Sequence, residues 1–172
     1  MFSKLAELLK AADIVYYEPV DLSGGGDSDY YVDVKKAMGI PSLLKEMAEQ
    51  LYLKIPSNVN AIVAKGYGGI GFAAIISAEH DYKLTQVRDT VKQHGRNKGL
   101  LESHLPQKGD KYVIIDDVWT TGHTVREVKK LIEENGAQVV KVLTVIFRGE
   151  EHPDDIDYDY LVYVGELVKL FR

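Results

Sequence analysis

The chain has 172 residues, 45 % of them apolar and 27 % charged, with 15 glycines, 5 prolines and no cysteine. That is the mix of one ordinary folded domain, long enough to bury roughly 70 % of its extended surface, and it excludes collagen-like and broadly disordered chains, disulfide scaffolds and cysteine-ligated zinc. A net charge of −5 excludes a broad basic surface for nucleic acid, so any phosphate must be bound by local means: glycine turns, helix N-termini and a few placed cations.

In chain order, Met1–Lys10 has no basic head leading into an apolar core, which predicts no secretory signal and, with the missing cysteines, a cytoplasmic protein. Apolar residues at Phe2, Leu5, Leu8 and Leu9 have helical spacing, predicting a helix over Phe2–Ala12. Ile14–Tyr17 is a short apolar run, Leu22–Ser28 a loop by composition, and Tyr30–Val34 a strand by its aromatic and β-branched content. After Pro41, Ser42–Leu53 reads as a helix with Ser42 as its N-cap. Ala61–Ala64 is a buried strand, Lys65–Gly69 a turn, Ile70–Glu79 a helix and Lys83–Val87 a strand. Lys92–Leu105 is polar and aperiodic, a loop able to move. Tyr112–Asp116 is a strand; Thr120–Thr124 opens a helix that Asn135-Gly136 ends. Val139–Phe147 and Tyr158–Val164 complete the strands. No uncharged apolar run approaches the ~20 residues of a membrane span. This alternation predicts an α/β fold, a parallel sheet flanked by helices, with ligands beyond the carboxyl ends of its strands.

The segment Val113-Ile114-Ile115-Asp116-Asp117-Val118-Trp119-Thr120-Thr121-Gly122-His123-Thr124-Val125 is the most informative. An apolar strand ends in two adjacent carboxylates, and a threonine- and glycine-containing loop then opens a helix. Backbone N–H groups at a helix N-terminus favour an anion, threonine hydroxyls add donors, and a glycine lets the backbone approach closely. Carboxylates beside such a site repel phosphate but accept hydrogen bonds from sugar hydroxyls. A phosphate site beside a diol site describes a ribose 5-phosphate. The Walker A spacing is absent.

Two further stretches belong with it. Ala64-Lys65-Gly66-Tyr67-Gly68-Gly69-Ile70-Gly71 places four glycines and a lysine between a buried strand and a helix, a second anion-binding turn. Val87-Arg88-Asp89-Thr90-Val91-Lys92-Gln93-His94-Gly95 puts Arg88, Lys92 and His94 within seven residues.

The thirteen-residue string resembles the signature by which type I phosphoribosyltransferases bind 5-phosphoribosyl 1-pyrophosphate (PRPP). The Arg88–Gly95 segment resembles the R-K-x-x-K-x-H-G loop of the orotate phosphoribosyltransferases. Leu22-Ser23-Gly24 with Ser28 to Asp33 is similar to that family's N-terminal hood element, and Phe147-Arg148-Gly149-Glu150 occupies the place of its D-R-x-E element. The resemblance runs from about residue 15 to 150. It implies one phosphoribosyltransferase domain over residues 1–172, with a small hood formed mainly by about 1–35 and a C-terminal segment.

By that resemblance, Thr120, Thr121, Gly122, His123 and Thr124 hold the 5-phosphate, Asp116 and Asp117 the ribose hydroxyls, and Lys65, Gly66 and Tyr67 the pyrophosphate. Arg88, Lys92 and His94 close over the leaving group. Thr120, Arg148, Tyr30 and Tyr31 meet orotate, although alternation on a strand lets only one of the two tyrosines face it. Mg²⁺ is the implied cofactor, held mainly by PRPP and water. The implied partners are PRPP, orotate and a second copy sharing the 88–99 loop, with no nucleic acid or membrane. The family pattern is departed from at Asp89 (usually Lys), Ser23, Gly24 to Asp27, His123 and Phe147. A phosphoribosyltransferase for another base and a non-catalytic PRPP-binding regulator are the alternatives. Trp119 reads as packing or loop anchoring, and His80, His104 and His152 as surface residues.

Overall fold

The computed structural model describes residues 3–17, 20–21, 27–92, 99–149 and 152–171. Ser23, Gly24 to Gly26, His94 and Glu150 lie outside them, as does the side chain of Lys92. Five strands run parallel: β5 (Ala61–Lys65), β6 (Lys83–Lys92), β8 (Lys111–Trp119), β9 (Gln138–Phe147) and β10 (Tyr158–Tyr163). With β7 (Gly99–Ser103), antiparallel to β6, they form one six-stranded sheet in the order β10-β9-β8-β5-β6-β7. The expected parallel sheet is therefore present with one antiparallel edge strand.

The strands bury both faces, as a helix-covered parallel sheet requires. On one face, Ile62, Ala64, Val113, Ile115 and Leu143 pack with Leu5 and Leu9 of α1 (Lys4–Ala11), Leu43, Met47 and Leu51 of α3 (Pro41–Tyr52), Phe72 and Ile76 of α4 (Gly66–His80) and Leu167 of α6 (Val164–Phe171). On the other, Ala61, Val63, Tyr112, Ile114 and Val142 pack with Val125, Val128 and Ile132 of α5 (His123–Glu134). The N-terminal part adds two short antiparallel pairs, β1 (Val15–Tyr16) with β4 (Tyr31–Val32) and β2 (Val20–Asp21) with β3 (Asp27–Ser28), and the helix α2 (Val34–Met38).

Several expectations are corrected. Tyr30–Val34 is not one strand: Asp33 accepts a hydrogen bond from Lys36 N at 3.1 Å and caps α2, which turns the chain at Val34. Helix α3 starts at Pro41, whose fixed φ suits a first helical position, behind an extended Ile40; Ser42 is inside the helix and caps nothing. Part of the aperiodic stretch, Gly99–Ser103, is strand β7, paired with Thr85 to Val87 and Lys92. Helix α6 begins where the last strand was expected to end. The Asn135-Gly136 stop holds, with Gly136 N–H donating to Glu133 O at 3.0 Å.

His104 is no plain surface residue. At the amino end of the sheet its Nε2 lies 2.7 Å from Oδ2 of buried Asp110. The other Asp110 oxygen accepts from Lys83 Nζ at 2.6 Å and Asn60 Nδ2 at 3.1 Å. His80 is half-buried and stacks on Tyr52, ring centroids 3.4 Å apart. His152 is exposed.

Candidate active site

The carboxyl ends of β5, β6, β8 and β9 converge on a cavity of about 770 Å³. Its wall comes from five separate stretches: Tyr31 to Lys35, Lys65 to Gly68, Asp89, Asp116 to Val125, and Arg148. The two strand-to-helix motifs are thereby brought together; from the third, Asp89 is the one described residue at the wall.

Strand β8 does not stop at the carboxylates. Its pairing with β9 continues through Asp116↔Thr144 and Val118↔Ile146 to Trp119↔Phe147. Asp116 and Asp117 thus stand on a rigid strand, and each accepts an N–H from its successor: Asp117 N to Asp116 Oδ1 at 3.0 Å, Val118 N to Asp117 Oδ1 at 2.8 Å. Burial pushes the Asp116 carboxyl well above the usual carboxylate range, and the adjacent Asp117 charge pushes the same way, while Lys35 opposes it.

The glycines of the Lys65–Gly71 stretch belong to α4, which begins at Gly66 and not at Ile70; Gly66 itself is left-handed (φ 65°) and the helical turn follows it. This places the N–H groups of its first turn at the cavity, with Lys65 in the N-cap position and no side-chain cap competing for them. Close approach demands two of the glycines. A Cβ on Gly68 would come within 2.5 Å of the Asp117 carboxylate, and one on Gly69 within 2.1 Å of the Ile115 carbonyl oxygen. The N-terminus of α4 is therefore pressed against the carboxylate pair.

Helix α5 opens in the same way, from Gly122 in a left-handed conformation (φ 74°) with no side-chain cap. Thr120, Thr121, Gly122, His123 and Thr124 all line the cavity. The openings of α4 and α5 are linked by Glu127: its Oε2 accepts from Lys65 Nζ at 3.1 Å, and its Oε1 lies 3.3 Å from His123 Nε2. The hydrogen bond from Lys65 holds the Glu127 carboxyl below its ordinary range, helped by the charge of Lys65 and of His123.

Arg148 and Tyr31 close the side of the cavity beyond the carboxylates. Arg148 N donates to Trp119 O at 2.8 Å, which ties it to the end of β8. Its guanidinium donates to Tyr30 O at 3.1 Å and lies 4.5 Å from the Tyr30 ring centroid. Of the two tyrosines, of which only one was expected to face the ligand, Tyr31 lines the cavity, and Tyr30 packs against the core and contacts Arg148. Phe147 points the other way, buried among His152, Tyr158 and Tyr160.

The hairpin β6–β7 departs from expectation. Arg88 does not line the cavity: its Nη2 donates to Glu102 Oε2 across the hairpin at 2.6 Å. Strand alternation then turns its neighbour Asp89 into the cavity wall. The sequence reasoning missed Lys35, which reaches the wall only because α2 starts at Val34, and Glu127, whose role depends on two turns distant in sequence.

The profile of the phosphoribosyl transferase domain family matches residues 32–166. The orotate phosphoribosyltransferase of Methanosarcina acetivorans is 36 % identical over 148 residues, covering 86 % of this chain and 78 % of that protein. That of Methanothermobacter thermautotrophicus is 34 % identical over 152 residues, covering 88 % and 83 %. The fold is similar to the crystal structure of orotate phosphoribosyltransferase from Aeropyrum pernix, with a TM-score of 0.80 at 24 % identity and 96 % and 97 % of the two chains covered. The chain belongs to the phosphoribosyltransferase family, and the relatives it resembles at this identity are the orotate enzymes.

Proposed function

We infer that this chain transfers the 5-phosphoribosyl group of PRPP to orotate, giving orotidine 5′-monophosphate and pyrophosphate. The observation that carries the reading is one cavity holding a carboxylate pair between two uncapped helix N-termini, with Arg148 on the base side. Asp116 and Asp117 would accept hydrogen bonds from the ribose hydroxyls. The α5 turn suits the 5-phosphate and the α4 turn, with Lys65, the pyrophosphate. A guanidinium matches the orotate carboxylate in two-pronged fashion, and Tyr31 offers a flat apolar face.

In the reaction the C1–oxygen bond to pyrophosphate breaks as the orotate nitrogen bonds to C1, through a transition state with oxocarbenium character. Orotate supplies an anionic nitrogen, so the protein needs no strong general base and contributes positioning and charge stabilisation. The oxygen donors beside the leaving group, Asp116 and Asp117, suit Mg²⁺. Held mainly by PRPP and water, as the resemblance implies, the ion would supply charge neutralisation at the pyrophosphate.

Lys92 and His94 complete the reading as cations closing over the pyrophosphate. The resemblance to the orotate enzymes supports a homodimer in which the 88–99 loop is shared across subunits; Arg88, paired with Glu102 and off the wall of its own cavity, is compatible with that, while Asp89 stays at the wall of its own subunit's cavity. The absence of cysteine suits the reducing cytoplasm. Among the described residues no helix is long and apolar enough to cross a membrane. The test is stoichiometry: one pyrophosphate released for each orotate consumed. Lys92→Ala should abolish turnover and spare PRPP binding. Unchanged turnover in that variant would remove Lys92 from the mechanism, and pyrophosphate release without orotate loss would overturn the assigned substrate.

A further inference from the structure

Arg126 stands in the second turn of α5, behind the phosphate loop and outside the cavity wall. Its Nε donates to Asp155 Oδ2 at 2.9 Å and its Nη2 to Asp155 Oδ1 at 3.0 Å, a two-pronged pair with the connection that follows β9. The remaining nitrogen, Nη1, donates to the Thr121 carbonyl at 2.8 Å. The guanidinium carbon lies 5.6 Å from the Trp119 ring centroid. All three nitrogens are engaged, and the guanidinium's hydrogen bond to the loop goes to a backbone carbonyl.

The next residue carries an independent mark of this wall. A Cβ on Gly122 would come within 2.4 Å of the Trp119 ring and 2.6 Å of Arg126 Nη1. The loop is therefore packed directly onto Trp119 and Arg126. In a planar trans peptide the carbonyl and the following N–H point in opposite directions. Holding the Thr121 carbonyl behind the loop turns the Gly122 N–H to the far side, toward the cavity that Thr121 and Gly122 line.

We propose that Arg126, clamped by Asp155, is a positioning residue for the 5-phosphate of PRPP: it fixes the Thr121–Gly122 peptide so that its N–H is presented to the anion. The inference deepens the proposed function and rests on it. The same pair also ties the connection carrying Arg148 to the phosphate loop, so the base and phosphate sides share one support. With side chains 44 % and 49 % exposed, the pair adds little to folding stability. Its effect falls on substrate affinity. Lysine at this position keeps the charge but has no planar fork for two carboxylate oxygens and a carbonyl.

The test is calorimetric titration of PRPP with Mg²⁺ into wild-type, Arg126→Gln, Arg126→Lys, Asp155→Asn and Asp155→Glu proteins, with KM measured for both substrates. Arg126→Gln should weaken PRPP binding and raise its KM about 10-fold, and Arg126→Lys and Asp155→Asn about 3-fold, the scale of one lost charge-assisted hydrogen bond. Asp155→Glu should recover most of the loss. The KM for orotate and the melting temperature should stay near wild type. PRPP affinity unchanged in Arg126→Gln would overturn the proposal. So would equal losses for PRPP and orotate that track a falling melting temperature. Wild-type binding of PRPP tests the functional reading by itself. Inorganic phosphate titrated in parallel tests the loop independently of that reading, and equal phosphate affinity in wild type and Arg126→Gln would also overturn the proposal.

Discussion

Asp116 and Asp117 are neighbours in the chain with different surroundings: Asp117 abuts the first turn of α4 at Gly68, and Asp116 is half-buried beside that charge. Because burial and Asp117 raise the folded-state value of Asp116, the folded protein binds its proton more tightly than the unfolded chain does. The unliganded protein should therefore lose stability as pH rises from the unfolded carboxylate range through neutrality. Asp116→Asn should remove that slope and stabilise the unliganded protein by about 1 kcal/mol at pH 8, while cutting turnover on the order of 10²-fold. Thermal melts against pH check this; a variant destabilised at pH 8 would contradict it. Asp89 gives a second expectation at this scale. It lines the cavity where the resemblance calls for lysine, so Asp89→Lys should tighten PRPP several-fold by exchanging a repulsion for an attraction. Unchanged affinity would place its carboxylate outside the field of the phosphates. The motif pairs Asp116-Asp117 and Thr120–Thr124 were legible because their chemistry is local. Arg88 was not, because its partner Glu102 lies on a strand that had no pattern in the sequence.

Among the elements, long strands and helices were legible from periodicity, and short ones lost to caps and pairing. Helix α2 was hidden because Tyr31-Val32-Asp33-Val34 alternates like a strand, and only the Asp33 cap shows that it stops. Strand β7 is half-buried without alternation and is specified by its partner β6. The glycine turn was legible as part of the candidate site, but its depth was not: the close packing of α4 on β8 is a tertiary fact. Gly69→Ala would drive a methyl into the Ile115 carbonyl, where backbone and not a flexible side chain must yield. A loss of about 3 kcal/mol in urea unfolding is expected, and wild-type stability would contradict the packing described.

Across the whole molecule the two ends of the sheet divide the work. The carboxyl end carries the cavity; the amino end carries the Asp110 cluster with Lys83, His104, Asn60 and Gln107 N–H. Burial alone would raise the Asp110 carboxyl, but hydrogen bonds from Lys83, His104 and the Gln107 backbone outweigh it and hold the value at about 2. A depressed folded-state value means stability that is present above the unfolded value near 4 and lost as pH falls from there toward 2. Asp110→Asn should cost about 2 kcal/mol at pH 7 and flatten the acid limb of the stability profile, with KM for both substrates retained. An unaltered acid limb would contradict this account. His104 reads as a surface residue in the sequence because the six positions to Asp110 match no ligand spacing; the turn between β7 and β8 brings them together.

The most direct test of the central claim is the rate of orotate loss, followed by ultraviolet absorbance, with PRPP and Mg²⁺ and with adenine, hypoxanthine and uracil as parallel bases. The site built from Arg148, Tyr31 and the carboxylate pair is expected to consume orotate far faster than any of the three. Turnover of another base with orotate untouched, or PRPP binding with no turnover at all, would contradict it.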